Sequence, residues 1–226
     1  LMNVDVEAPD HTTLSRRGQH LNVRFHPVPP NEPLHLIVDS TGLSIVGEGE
    51  WAAVKHGGRG TRGWKKLHVG VDGSGAIVAH VLTAGSADDA TTGLTLIDAA
   101  EGNISSVTGD TAYDTIAIYE AAGAHRATVV VPPTKTAAVS RRRPRVRARD
   151  HTIRRIKQVG RRQWKKEAGY HRQARVENAF FRYKSIISDR LRARHPMAQD
   201  TEAALACNIL NRMTELGRPT SFAIGS

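Results

Sequence analysis

Cysteine occurs once in the 226 residues, at Cys207, which excludes a disulfide framework and a cysteine-built zinc site. Its Ala-rich surroundings read as a small buried apolar position, and the compartment as reducing cytoplasm. No stretch approaches the roughly 18 to 20 apolar residues that span a bilayer. The opening Leu1-Met2-Asn3-Val4-Asp5 lacks a basic segment followed by an apolar one, so neither membrane nor secretion is expected. No internal repeat is present.

Acid is scarce where base is dense. Between Arg141 and Lys166 stand 13 Lys and Arg against a single acid, Asp150. The chain has Lys+Arg 32 and Asp+Glu 22, net +10, so this segment at +12 leaves −2 for the remainder. Charge this local suits a phosphate-facing arm, with a solvated charged loop as the alternative. At 39% hydrophobic, the chain can bury one substantial core. The expected organisation is an N-terminal arm and connector over 1–33, a core over 34–217 with a basic insertion around 138–166, and a tail over 218–226.

Residues 1–33, with five prolines including Pro29, Pro30 and Pro33, read as irregular. Leu34 to Val38 reads as a strand closed by an Asp39-Ser40-Thr41-Gly42 turn. Trp64 to Asp72 and Ala76 to Ala84 read as a hairpin around Asp72-Gly73-Ser74-Gly75. A helix over Asp89 to Ala100, a strand over Ser106 to Gly109, a helix over Thr115 to Ala122 and a strand over Ala127 to Val131 follow. Antiparallel strands first and βαβ units second predict an α/β fold, a mixed sheet with helices on its faces. Helices are expected over 171–188 and 201–216, the second burying Ala204, Leu205, Ile209, Leu210 and Met213 and stopping at Gly217.

Asp39 and Asp110 close the first and fourth strands of this reading. If those strands are parallel neighbours, both carboxylates emerge at one edge, where open α/β sheets place their sites. Tyr170, Glu177 and Lys184, seven apart, form one helical stripe, beside a sheet-packing face of Val176, Ala179, Phe180, Tyr183 and Ile187. Three acids without His or Cys favour a hard cation, Mg²⁺ or Mn²⁺, and two ions roughly 3.5 to 4 Å apart can drive in-line displacement at phosphorus. Each acid alone also has an ordinary reading: an Asx turn for Asp39, a helix cap for Asp110, an exposed helical acid for Glu177. Trp64 at a strand start reads as a brace for the sheet, and Trp51 either as a brace or as a stacking surface for bases.

The segments Val38-Asp39-Ser40-Thr41-Gly42-Leu43, Gly47-Glu48-Gly49-Glu50-Trp51, Trp64-Lys65-Lys66-Leu67-His68, Gly109-Asp110-Thr111-Ala112-Tyr113-Asp114, Pro132-Pro133, Trp164-Lys165-Lys166-Glu167, Tyr170-His171-Arg172 and Leu210-Asn211-Arg212-Met213 carry a resemblance. In order, they closely resemble the DDE transposases of bacterial insertion sequences, specifically the insertion-sequence-five family, from about residue 8 to 217. The resemblance implies an RNase H-like mixed five-stranded sheet with helices on both faces. It implies that Asp39, Asp110 and Glu177 are the catalytic, metal-binding triad, holding two Mg²⁺ or Mn²⁺ ions. Water would attack the phosphodiester at the element's end, and the freed 3′-hydroxyl would then attack target DNA.

The family pattern Y-x-x-R-x-x-x-E-x-x-x-x-x-x-K finds Tyr170, Glu177 and Lys184 in place, with Gln173 where the arginine belongs. Gln donates a hydrogen bond but brings no charge. Expected DNA contacts are Tyr170, Arg172, Gln173, Arg175, Lys184, Arg141, Arg142, Arg143, Lys65 and Lys66. The expected partners are double-stranded DNA, as transposon ends and target, and further copies of the chain, with no membrane and no small-molecule substrate. The place of action is the bacterial cytoplasm at the nucleoid. An additional N-terminal region of the family, implicated in binding terminal repeats, is expected to be missing. Two competing functions stand beside this one: an RNase H-like nuclease that cuts without joining, and an inactive truncated product that binds DNA or inhibits.

Overall fold

β-Branched and leucine residues after Pro33 open β1, which runs Leu34–Ile45 in the computed structural model. The structure describes residues 10–21, 23–27, 33–46, 63–140 and 147–217. β2 (Trp64–Val71) and β3 (Ile77–Ala84) form the expected hairpin, joined where Asp72 Oδ1 accepts the Ser74 and Ala76 amides and Gly75 takes φ 90°. β4 (Ile104–Thr108) and β5 (Thr128–Val130) complete the path, in the order β3-β2-β1-β4-β5. β1 is antiparallel to β2 and parallel to β4, and β4 is parallel to β5. A sixth strand that the periodicity does not reveal, the two-residue β6 (Arg190–Leu191), pairs with the far end of β1.

Alternation along β1 divides the core in two. Leu34, Leu36 and Val38 pack under α2 (Asp89–Ala99) and α3 (Ile116–Ala124) with Leu96, Ile97, Ile118 and Ala122. Ile37 and Leu43 face the other way, onto α6 (Ala174–Arg182) and α7 (Pro196–Glu215) with Val176, Phe180, Cys207 and Leu210. Each such fully buried leucine or isoleucine contributes about 1.5 to 3 kcal/mol. The Trp64 ring lies against Gly42, where a Cβ would meet it at 3.2 Å, while the residue stays 53% exposed.

Several expectations are corrected. Residues His11–His20 are helical (α1) rather than irregular, with Asp10 accepting the Thr13 and Leu14 amides through its carbonyl and Arg17 and His20 at the C-terminal turn. The basic segment is not an arm from Arg147 onward. It forms α4 (Arg147–Val159) and α5 (Arg161–Glu167), anchored by buried Ile153 and Trp164 and by Asp150, which accepts the Ser140 amide at 2.8 Å. The single helix expected over 171–188 is a 3-10 turn at Tyr170–Gln173, then α6, then a π-helical turn at Tyr183–Ile187. Tyr170, Glu177 and Lys184 therefore do not share a uniform stripe, although the sheet-packing face of α6 forms as read.

In α7 the buried face is rotated. Ala203, Ala206, Cys207 and Leu210 are buried, while Leu205, Ile209 and Met213 are 49%, 43% and 39% exposed. Small side chains let the helix approach the sheet. Asn211 then fixes its rotation by accepting the Ile77 amide at 2.8 Å and donating to the Ile77 carbonyl at 2.7 Å. Gly217 ends the helix with φ 86°, as expected.

Candidate active site

The Asp-Ser-Thr-Gly sequence after Val38 is not a turn. β1 passes straight through it, held on one side by β2, where Asp39 pairs with Val69 and Ser40 with His68. On its other side β1 pairs with β4 only as far as Ile37, opposite Thr108, and with β6 only from Ser44. Between those points no strand among the described residues lies beside that edge of β1, and Asp39 stands at the start of this split. Carrying the parallel register two residues beyond Ile37 and Thr108 sets Asp39 level with Asp110, on the sheet face that α6 covers. The adjacency of β1 and β4 is as expected. The strand end assigned to Asp39 is corrected to the end of its pairing with β4.

Asp110 heads a 3-10 turn (Thr111–Tyr113), its Oδ1 accepting the Ala112 amide at 2.8 Å. Asp39 Oδ1 accepts the Ser40 amide at 2.8 Å, and its Oδ2 receives the Gln173 Nε2 at 3.5 Å. Partial burial pushes the Asp39 carboxyl up to about 6. The fields of Asp110 and Asp89 push the same way, against the Ser40 amide and the Gln173 amide. Glu177 stands exposed in the first turn of α6, where an acid suits the helix dipole, and makes no hydrogen bond or ion pair among the described residues. Tyr170 lies near this edge, its phenol raised by burial first and then by Asp110, Asp39 and Glu177 in that order. Its ring is held by Lys165, whose Nζ lies 4.4 Å from the centroid, with Trp164 at 6.5 Å.

Gln173 is turned inward, 5% exposed, its Oε1 buried without a partner among the described residues. Lys66 is likewise committed: its ammonium donates to the Ala87 carbonyl at 3.0 Å and to both Asp89 oxygens at 3.2 Å. Lys65 is partly buried; Arg172, Arg175 and Lys184 are exposed. Arg141, Arg142, Arg143 and Trp51 lie outside the described residues.

Two contributors escaped the sequence reading. Asp89, at the start of α2, pairs with Lys66 and sits 3.5 Å from the Nδ1 of the fully buried His68, whose imidazole burial holds below its usual range. Tyr113 wedges behind Asp110, where a Cβ on Gly93 or Gly109 would come within 2.8 or 2.9 Å of its ring. Burial first, then Asp39, Asp89 and Asp110, keep its phenol well above the ordinary range. The available signal was the spacing Gly109-Asp110-x-x-Tyr113, a bulky ring four residues past a glycine that leaves it room.

The oxygen-only donor set and the mutual repulsion of Asp39 and Asp110 suit a hard divalent cation. The side chains are not closed around one: among the described residues no group of three or more His, Cys, Asp or Glu is set to hold a metal ion. No described helix is long and apolar enough to cross a membrane.

A mixed sheet ordered β3-β2-β1-β4-β5 with helices on both faces, one carboxylate on its central strand and another just past the end of the neighbouring β4, is an RNase H-like fold. A family model described as a transposase DDE domain matches residues 30–212, and a second of the same description matches residues 1–48. The chain belongs to the DDE transposase family.

Proposed function

We propose that Asp39, Asp110 and Glu177 form the catalytic triad of a DNA transposase, cleaving phosphodiesters at insertion-sequence ends and joining the 3′ end to target DNA. The observation that carries this is the parallel pairing of β1 with β4, which sets Asp39 level with Asp110 at one sheet edge, while Gln173, just before the helix that bears Glu177, donates to Asp39 at 3.5 Å. The resemblance of its motifs to those of the insertion-sequence-five group supports assigning the chain to that group. In the first step a water oxygen bonds to phosphorus, the P–O3′ bond breaks and the 3′ oxygen takes up the proton. In the second, that 3′ oxygen bonds to a target phosphorus and displaces the target's own 3′ oxygen. Two Mg²⁺ or Mn²⁺ ions on the triad oxygens would activate the attacking oxygen and stabilise the leaving one.

The chain's own groups hold the reactants. Arg172, Arg175, Lys184, Lys65 and the arginines 141 to 143 supply phosphate contacts without reading bases. Tyr170 carries a donor to the scissile group, while Lys66 and Gln173, both turned inward, assemble the site. Work on two DNA ends calls for at least two copies, at the bacterial nucleoid.

Divalent-metal-dependent nicking of terminal-repeat DNA by the parent, abolished in Asp110→Asn and in chelator, is the expected result. A parent that binds this DNA but never nicks it overturns the catalytic reading. It would favour a DNA-binding, inhibitory role, for which the uncharged Gln173 and the open acid arrangement speak. Nicking without strand transfer would instead make the protein a nuclease.

A further inference from the structure

Helix α6 has a second functional flank. Beside it, between the C-terminal end of α7 and the β2–β3 turn, lies a cavity of about 720 Å³. His171, Arg175, Asn178, Arg182, Thr214 and Ser74 supply its polar lining, and no Asp or Glu is among the lining residues described. Arg182 is fixed: it donates to Thr214 Oγ1 at 2.8 Å and to the Leu210 carbonyl at 3.1 Å. There it also offsets the negative end of the α7 dipole, which would otherwise oppose an anion. His171, Arg175 and Asn178 are exposed and make no hydrogen bond or ion pair among the described residues. Their donors are free.

Arg175, Asn178 and Arg182 follow i, i+3, i+7 spacing and share one stripe, with Glu177 about 100° round the helix from Asn178. The acid of the candidate triad and the cations of the cavity thus occupy different sides of one rigid element. From Arg175 to Arg182 the helix rises roughly 10 Å. Along one DNA strand that span reaches past one phosphate to the next. The cavity therefore matches a length of backbone better than a single small anion.

We propose that this groove seats the phosphodiester backbone of a DNA duplex distinct from the strand facing the carboxylates, so that α6 stands between two DNA segments. The inference rests on the transposase reading, in which cut end and target must be held together. It adds His171, Asn178 and Arg182 as contacts and assigns Arg175 to the second duplex.

The test is binding of a short fluorescent duplex of arbitrary sequence, by anisotropy across a salt series in chelator, so that no chemistry is needed. Asn178→Glu places an acid in mid-groove. Leu205→Glu adds the same charge to an exposed position of α7 outside the lining, and both variants are first checked for an unchanged melting midpoint. Asn178→Glu is expected to weaken binding about tenfold and flatten the salt slope, against less than about twofold for Leu205→Glu. Equal effects of the two glutamates would overturn the groove. Loss of nicking in Asp110→Asn bears only on the triad, since this binding is read without metal.

Discussion

Gln173 donates from Nε2 to Asp39 Oδ2 across 3.5 Å, linking the turn before α6 to the middle of β1. The hydrogen bond is long and its donor carries no charge. An arginine here would put a full charge beside a carboxylate that burial and Asp110 already push up to about 6. Gln173→Arg is therefore expected to make Asp39 titrate at lower pH, and Gln173→Leu, which removes the donor, at higher pH. Carboxyl NMR titration of the two variants reads both directions. Identical titration in both would mean that the amide does not act on Asp39.

The raised carboxyl of Asp39 also sets a pH dependence of stability. Unfolded, the group ionises near 3.8; folded, it holds its proton to about 6. Between those values the folded state binds more protons, so this group's contribution to stability falls as pH rises from about 4 to 6 and stays lost above. Asp39→Asn removes that cost while keeping an acceptor for the Ser40 amide. It should melt about 2 to 5 °C above the parent at pH 7, after allowance for partial solvent screening, with the difference vanishing near pH 4. A constant difference across this range would assign it to packing.

Most of the fold was legible because its periodicities are strong: β1 to β5 and both two-faced core layers follow from alternation and capping. What failed did so where long-range contacts overrode local signals. Asp39-Ser40-Thr41-Gly42 has turn chemistry, yet β2 pairing carries the strand through it. Residues 147–159 look like a charged loop, but Ile153 and buried Asp150 hold them as a helix. The α7 face could not be chosen between large and small apolar residues without the Asn211 contact to Ile77. Of the site, the levels of Asp39 and Asp110 could be inferred from strand order, whereas the inward turn of Gln173 had no sequence signal.

Gly109 precedes Asp110 and leaves no room for a side chain, since its Cβ would lie 2.9 Å from the Tyr113 ring. Tyr113 is 1% exposed and cannot swing away. Gly109→Ala must push either the ring or the Asp110 turn, at a cost of about 1 to 3 kcal/mol. Thermal melting should show the loss. Tyr113→Phe in the same background would not relieve it, because the collision is with the ring rather than the hydroxyl. Full stability in Gly109→Ala would show that the wedge is soft.

The basic segment offers a last discrimination, between charges that build the fold and charges that face solvent. Arg149 grips Asp114 with two hydrogen bonds of 2.7 Å, Nε to Oδ1 and Nη2 to Oδ2, and the Asp114 side chain is 0% exposed. The pair ties α4 to the loop just after Asp110. Removing the guanidinium strands a buried carboxylate, so Arg149→Ala should cost about 3 kcal/mol and, by loosening that loop, also reduce nicking. Arg155 makes a similar fork with Glu167 at 2.9 and 3.0 Å, but with both side chains open to water at 41% and 33%. Solvent and salt screen that pair, so Arg155→Ala should leave the melting midpoint unchanged. Two arginines six residues apart in one helix would then differ because of what surrounds their partners. Equal responses to the two substitutions would mean that Asp114 is rehydrated at little cost, and that Ile153 and Asp150 suffice to dock α4.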